Sequence, residues 1–370
     1  MQHFARTFAD TLVDVATTRV LLFTMVVAVL FYGFFYPAPY AHQAASGVPI
    51  VVVDLDRSTL SRALLRNLAA ARAVSIIAEA PDLTAAAALS RDREADGIIL
   101  IEAGLGRSIA GQTPGGVAII VNGTNPLRAK EIGTALSGAV GGAIGEWIEP
   151  LAAAVHAAPP LTIVMRPLFN TRAGYGDYVF PAVAGIIIQQ TLLFGAAIWA
   201  ARRRAQLTPQ LSLAAFLGAW AAFTFLGTLT ALYYQGVVYW LQDVPHHPNV
   251  TAMLLAMPLY AAAVSALGLL IGSCFAREDQ PMTLLAPTSL LLFFMSGAAW
   301  PLASMPGWVA ALAHLSPSTS GIHIFIALGQ MGASLDEVTG HLLWLLALSA
   351  IYSAAAGWRM CHASALVPKT

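Results

Sequence analysis

Charge is scarce in this chain. Only 10% of its 370 residues are Asp, Glu, Lys or Arg, whereas 58% are hydrophobic, and the mean hydropathy is +0.70. That balance excludes an ordinary soluble domain. Basic and acidic residues are equal in number, 19 each, so the broad basic field that nucleic-acid binding requires is missing too. Lysine is limited to Lys130 and Lys369, and neither follows the glycine spacing that cradles a nucleotide phosphate, so the chain does not hydrolyse ATP itself. A G-x-S-x-G elbow and an H-E-x-x-H helix are also missing, which removes two signatures of hydrolytic enzymes. The two cysteines, Cys274 and Cys361, do not make a disulfide framework.

What the chain has instead is long apolar runs. Windows able to cross about 30 Å of hydrocarbon fall at 19–37, 178–201, 211–236, 252–275, 282–300 and 341–358. The first is long, aromatic and without a small-x-small cleavage site, so it reads as a retained span rather than a signal peptide. Arginines and the C-terminal lysine flank the spans on one side: Arg6, Arg19, Arg202, Arg203, Arg204, Arg277, Arg359 and Lys369. The opposite loops, 237–251 and 301–340, contain no Lys or Arg. Both termini are therefore expected in the cytoplasm and 38–177 outside it.

The resulting fold class is a polytopic α-helical membrane protein of about six spans, with an extracytoplasmic α/β domain inserted between spans 1 and 2. In 38–177, strand-like runs ("VPIVVVD", "AVSIIAE", "ADGIILIE", "GVAIIVNG") alternate with helical ones. The helix "RSTLSRALLRNLAAA" carries Leu60, Leu64 and Leu68 on one face, "PDLTAAAALSRD" is capped near Asp82, and a long Gly/Ala-rich helix after Asn125 is expected to break or bend near Pro150. Residues 1–18 carry Phe4, Phe8, Leu12 and Val15 on one stripe, as a cytoplasmic interfacial helix would. The five-span domain is 178–358, in which 301–340 reads as short re-entrant or interfacial helices; 359–370 is a cytoplasmic tail.

Polar residues inside the spans are the candidate site. None of the six spans has an Asp, Glu, Lys or Arg centrally, so energy for transport must come from elsewhere. Gln189 and Gln190 lie mid-span: they either line a transport path or dimer seam, or make an interhelical hydrogen bond that aids packing. "ARRRAQLTPQ" (201–210) and "AREDQP" (276–281) are short cytoplasmic links; Arg202, Arg203, Arg204, Arg277, Glu278 and Asp279 are candidates for coupling to a soluble partner. The His246–His247 pair has no third ligand nearby and reads as a loop feature. No metal or catalytic residue is assigned.

Three stretches together resemble permease subunits of ATP-binding-cassette exporters of the type 2 class, in the subgroup with a large extracytoplasmic domain between the first two spans. The domain opens on Asp54, Asp56 and Ser58 in "VVVDLDRSTLSRAL"; "MRPLFNTRAGYGDYVFP" supplies Arg166, Asn170, Tyr178 and Pro181; "SGAAWPLASMPGWVAALAHLSP" supplies Ser296, Gly297, Pro301, Met305, Pro306 and Pro317. The loop 201–210 departs from that pattern, being basic and polar where the family carries an acidic, Gly-containing turn. The resemblance implies the membrane subunit of an exporter of amphipathic or hydrophobic molecules in a bacterial inner membrane. It also implies a dimer with a second permease copy or paralogue, and separate ATPase subunits that hold the ATP and Mg, this chain having no cofactor. The external domain would guide substrate or meet a periplasmic adaptor protein, and membrane lipids would surround the spans. The competing reading is a non-transporting envelope scaffold or receptor whose external domain binds a partner; a secondary carrier is disfavoured by the uncharged spans.

Overall fold

A computed structural model describes residues 1–38, 47–92, 94–105, 116–121, 126–155, 175–206, 210–246 and 248–362. They belong to two units, Met1–Ala41 with Pro167–Thr370, and His42–Arg166. In chain order the elements are α1 (Gln2–Thr17), α2 (Arg19–Phe35), β1 (Val48–Asp54), α3 (Thr59–Ala70), β2 (Val74–Glu79), α4 (Leu83–Arg91), β3 (Gly97–Ile101), β4 (Val117–Val121), α5 (Pro126–Val155), α6 (Tyr175–Ala205), α7 (Leu213–Leu241), α8 (Val250–Gly272), α9 (Gln280–Met295), α10 (Gly307–His314), α11 (Pro317–Gly329) and α12 (Leu335–His362). Two of the helices contain a π-helical turn, Phe23–Val27 in α2 and Tyr233–Val238 in α7.

The His42–Arg166 unit is α/β. Its sheet has the order β2-β1-β3-β4, with β1 parallel to both β2 and β3, and β4 antiparallel to β3. β1 reads as an unbroken apolar run because both of its faces are covered. Val48, Ile50 and Val52 pack with Leu60, Leu64 and Leu68 of α3 and with Ile132, Leu136 and Ala139 of α5. Val51 and Val53 face the opposite way, toward Ala86 of α4 and Ala95. Burying each of those leucines stabilises the unit by roughly 1.5–3 kcal/mol. Ser58 caps α3 by accepting from Ser61 N (3.1 Å), and Asp82 caps α4 by accepting from Ala85 N (2.8 Å). α5 is helical through position 150, where a break or bend is expected from the proline.

The other unit is helical. By length and composition α6, α7, α8 and α12 can each cross a membrane, and up to six spans result if each bent pair, α1–α2 (85°) and α10–α11 (81°), counts as one. α6 is enclosed by α8, α9, α11 and α2, and α8 packs against α6, α7, α11 and α12. Small residues allow the closest approaches: a Cβ on Gly272 would collide with the Ala197 carbonyl, and one on Gly218 with the Phe4 carbonyl. The second contact seats α1 along α7, where Phe8 also meets Phe225 with ring centroids 6.1 Å apart. Thr11 and Val15 are buried while Phe4 stays partly exposed, so the apolar stripe of α1 is packed against protein rather than left free.

Another expectation differs from the structure. The run 282–300 does not form a full span: α9 has 16 residues and ends at Met295, which gives about 24 Å against the ~30 Å of hydrocarbon. The cause is local, because Gly297 adopts a left-handed φ of 87° that closes the helix. Residues 301–340, expected as short re-entrant or interfacial helices, hold the pair α10–α11, bent by 81°. α10 exposes Trp308 and Leu312 as an interfacial helix does, but α11 is enclosed, with Ser318, Thr319 and Ser320 buried beside Ile322, Ile324 and Phe325.

Candidate functional site

The residues of the family-like pattern act mainly as punctuation. Pro301 precedes a short 3₁₀ turn, Leu302–Ser304, which Met305 closes; Pro306 caps α10, and Pro317 opens α11. Ser296 Oγ donates to the Phe293 carbonyl at 2.7 Å. Pro181 lies within α6. Tyr178, one turn earlier, donates to the Ala298 carbonyl, so the first turn of α6 meets the stretch after α9. Arg166 and Asn170 lie outside the described residues.

In the α/β unit, Asp54 and Asp56 are turn builders. Asp54 Oδ1 accepts from the backbone N–H of Asp56 (3.0 Å) and Arg57 (2.9 Å), and its Oδ2 accepts from Ser61 Oγ (2.8 Å). Those bonds hold Arg57 at a left-handed φ of 49°. Asp56 Oδ1 accepts from Gly104 N (2.7 Å) and Leu105 N (3.2 Å), tying the end of β1 to the segment after β3. The acidic pattern thus secures the carboxyl ends of two neighbouring strands.

The arginines at the end of α6 are turned into the bundle. Arg202 donates to Thr18 Oγ1 (2.6 Å) and lies 3.7 Å from Glu278 Oε2. Arg203 sits 5.3 Å above the ring of Trp199, whose Nε1 donates to Asp14 Oδ2 (2.9 Å). Arg204 donates to the Ser273 carbonyl, which also accepts from Arg359 (3.3 Å). Cations converge there because the last carbonyls of α6 and α8 carry partial negative charge. The network joins α1, α6, α8, α12 and the link 276–279. By contrast, Arg277 and Asp279 are exposed and bonded to each other (3.0 and 2.9 Å), which holds the Asp279 carboxyl below the usual carboxylate range. Asp14, Trp199 and Ser273 were not signalled by sequence; an acidic residue beside the apolar stripe of α1 is the one clue that was there.

The two glutamines diverge. Gln189 is fully buried and serves as the missing cap of α11: its Oε1 accepts from Ser318 N (2.7 Å) and its Nε2 donates to Ser316 Oγ (3.2 Å). A buried helix N-terminus needs such a partner. Gln190 is 7% exposed, and neither atom of its amide has a hydrogen-bond partner among the described residues. It borders a cavity of about 410 Å³ walled by Phe23 and Tyr32 of α2, Ile187 and Phe194 of α6, and Met282 and Ser289 of α9, with no charged side chain in its lining. Among the described residues, no group of three or more His, Cys, Asp or Glu is placed to hold a metal ion.

Comparison with known proteins agrees with this arrangement of apolar helices. Over 201 residues the chain is 24% identical to the "Probable multidrug ABC transporter permease YbhR" of Escherichia coli strain K12, and equally to that of E. coli O157:H7. The alignment covers 52% of this chain and 55% of the relative, so the chain spans about half the length of the relatives it matches. A family model, "ABC-2 family transporter protein", matches residues 18–358, from the start of α2 to near the end of α12. The chain belongs to the ABC-2 family of transporter proteins and is a helical membrane protein of the permease kind.

Proposed function

We propose that this chain is the membrane subunit of an ATP-driven exporter that moves an amphipathic or hydrophobic molecule out of the cytoplasm or the inner leaflet. It works as a dimer with a second permease copy or paralogue, and a separate ATP-binding-cassette subunit binds ATP and Mg. The observation that carries this reading is the cavity at Gln190, whose uncharged wall and unsatisfied amide suit a largely apolar cargo with one polar group. The relative described as a probable multidrug permease supports drug-like cargo. Arginines concentrated at one end of α6 and at the end of α12 support an inner-membrane orientation with both termini cytoplasmic. The α/β unit then lies outside, where it guides substrate or meets an adaptor. The exposed link Arg277–Asp279 contacts the ATPase, while the Arg202–Arg204 network passes its movement to α1 and the spans.

The test is co-purification of the tagged chain in mild detergent followed by an ATPase assay. An ATPase that accompanies the chain, and is more active with it than without it, is expected. A chain that purifies free of any ATPase overturns the reading.

A further inference from the structure

Tyr178 lies at the opposite end of α6 from the arginines Arg202–Arg204. Together with Gly297, His323 of α11, and Glu337 and His341 of α12, it lines a cavity of about 250 Å³ that shares no residue with the one at Gln190. The two imidazoles stack with centroids 5.2 Å apart and planes 14° from parallel, which joins α11 to α12. His323 also lies against Gly297, where an added Cβ would be 3.0 Å from its Cε1. Both histidines are half-buried, whereas Tyr178 and Glu337 are exposed, so the cavity reaches the surface.

Hydrogen bonds within the chain decide which kind of atom each side chain offers to that space. The Tyr178 hydroxyl gives its proton to the Ala298 carbonyl, which leaves the oxygen's lone pairs. His323 Nδ1 donates to the Thr319 carbonyl at 2.6 Å, so in the neutral ring Nε2 carries no proton and accepts. Glu337 Oε2 accepts from Ser334 N (2.7 Å) and Ser334 Oγ (3.1 Å), fastening the first turn of α12 in the manner of a capping box and leaving Oε1 for another partner. All three offer acceptors, and one of them is anionic.

The surroundings carry the same sign. Segments 237–251 and 301–340, at this end of the bundle, hold Asp243, Asp336 and Glu337 and no Lys or Arg, and no Lys or Arg lines the cavity. An anion would meet the Glu337 carboxylate with no cation to offset it, whereas a cation is drawn in. Among the described residues no three of His, Cys, Asp or Glu are placed to hold a metal ion. What the acceptors fit is a cation that donates hydrogen bonds, and Ile326 and Val338 on the same wall fit hydrocarbon beside it. We propose that this cavity binds the protonated primary amine of an amphipathic molecule, its N–H groups shared among Glu337 Oε1, His323 Nε2 and the Tyr178 oxygen. Two sources carry that group, an aminophospholipid of the bilayer and a free alkylamine. The proposal depends on neither the ATPase nor the cavity at Gln190.

The experiment titrates the full-length chain, in dodecyl maltoside at neutral pH, with octylammonium, octyltrimethylammonium and octanol, and reads affinity by calorimetry. Octylammonium is expected to bind roughly tenfold tighter than either of the others, because the trimethyl compound has the charge without an N–H and octanol has no charge. Glu337→Gln keeps an acceptor for Ser334 and removes the charge, while His323→Phe keeps a ring in the stack and removes Nε2; each should weaken octylammonium and leave octanol unchanged. Octylammonium that binds no tighter than octanol, is matched by the trimethyl compound, or keeps its affinity in both variants overturns the proposal. Native mass spectrometry of the delipidated chain separates the two sources. Phosphatidylethanolamine retained over phosphatidylcholine and displaced by octylammonium assigns the site to the bilayer lipid; equal retention of the two lipids, with octylammonium still bound, assigns it to a free amine. A failed ATPase co-purification would leave these results untouched, so the two readings can fail independently.

Discussion

The arginine end of the helical unit and the cavity at Gln190 treat polar groups in opposite ways. At Arg202–Arg204, side chains meet partners inside the chain: Thr18, Glu278, the Trp199 ring and the Ser273 carbonyl. Beside the cavity, Gln190 keeps both polar atoms of its amide buried without a partner among the described residues. Satisfied groups hold helices in place. Unsatisfied ones cost stability and need an explanation, which for Gln190 is the proposed cargo site. The contrast is sharpest between neighbours, since Gln189 caps α11 with both ends of its amide while Gln190 uses neither.

That contrast can be broken from its strongest point downward. Arg204→Ala combined with Arg359→Ala strips the charge-assisted bonds from the end of α8, and is expected to lower stability in detergent by about 3 kcal/mol, measured as a fall in the thermal unfolding midpoint. Gln189→Leu leaves Ser318 N buried without its acceptor and should cost about 2 kcal/mol by the same assay. Gln190→Leu removes two unpaired atoms and should be neutral or stabilising by up to about 1 kcal/mol, the reverse of its neighbour; a loss equal to that of Gln189→Leu would show that Gln190 is bonded after all.

The smallest effect is expected at the exposed link. The Arg277 hydrogen bonds hold the Asp279 carboxyl below its ordinary range, so whatever the pair contributes is present above that range and lost only as pH falls through the lowered value. Between pH 7 and pH 5 the pair should not alter stability, and Asp279→Asn should leave the unfolding midpoint at pH 7 unmoved because both side chains are exposed. If the link contacts the ATPase, Arg277→Glu should nevertheless reduce co-purification. An unfolding midpoint that drops with Asp279→Asn would place the pair with the inward arginines.

Legibility followed the range of the interactions. The strands of the α/β unit were readable because both faces of β1 are buried and its apolar run is unbroken. The cap at Asp82 was readable because it acts within three residues. The reach of Asp56 to Gly104 and Leu105 spans 48 and 49 positions and leaves no local trace. The polar pair at 189–190 stood out in an apolar span, but a helix turns about 100° per residue, so adjacency in sequence concealed that the two side chains face different surroundings. The early end of α9 depends on the backbone of Gly297, which hydropathy does not register.

The most direct measurement is cargo-stimulated ATPase activity of the purified complex, compared between the wild-type chain and Gln190→Leu over a panel of amphipathic molecules. The account predicts that the variant retains its ATPase partner and basal activity but loses stimulation by cargo bearing a hydrogen-bonding group. Stimulation unchanged in the variant would contradict the assignment of the α2–α6–α9 cavity to cargo.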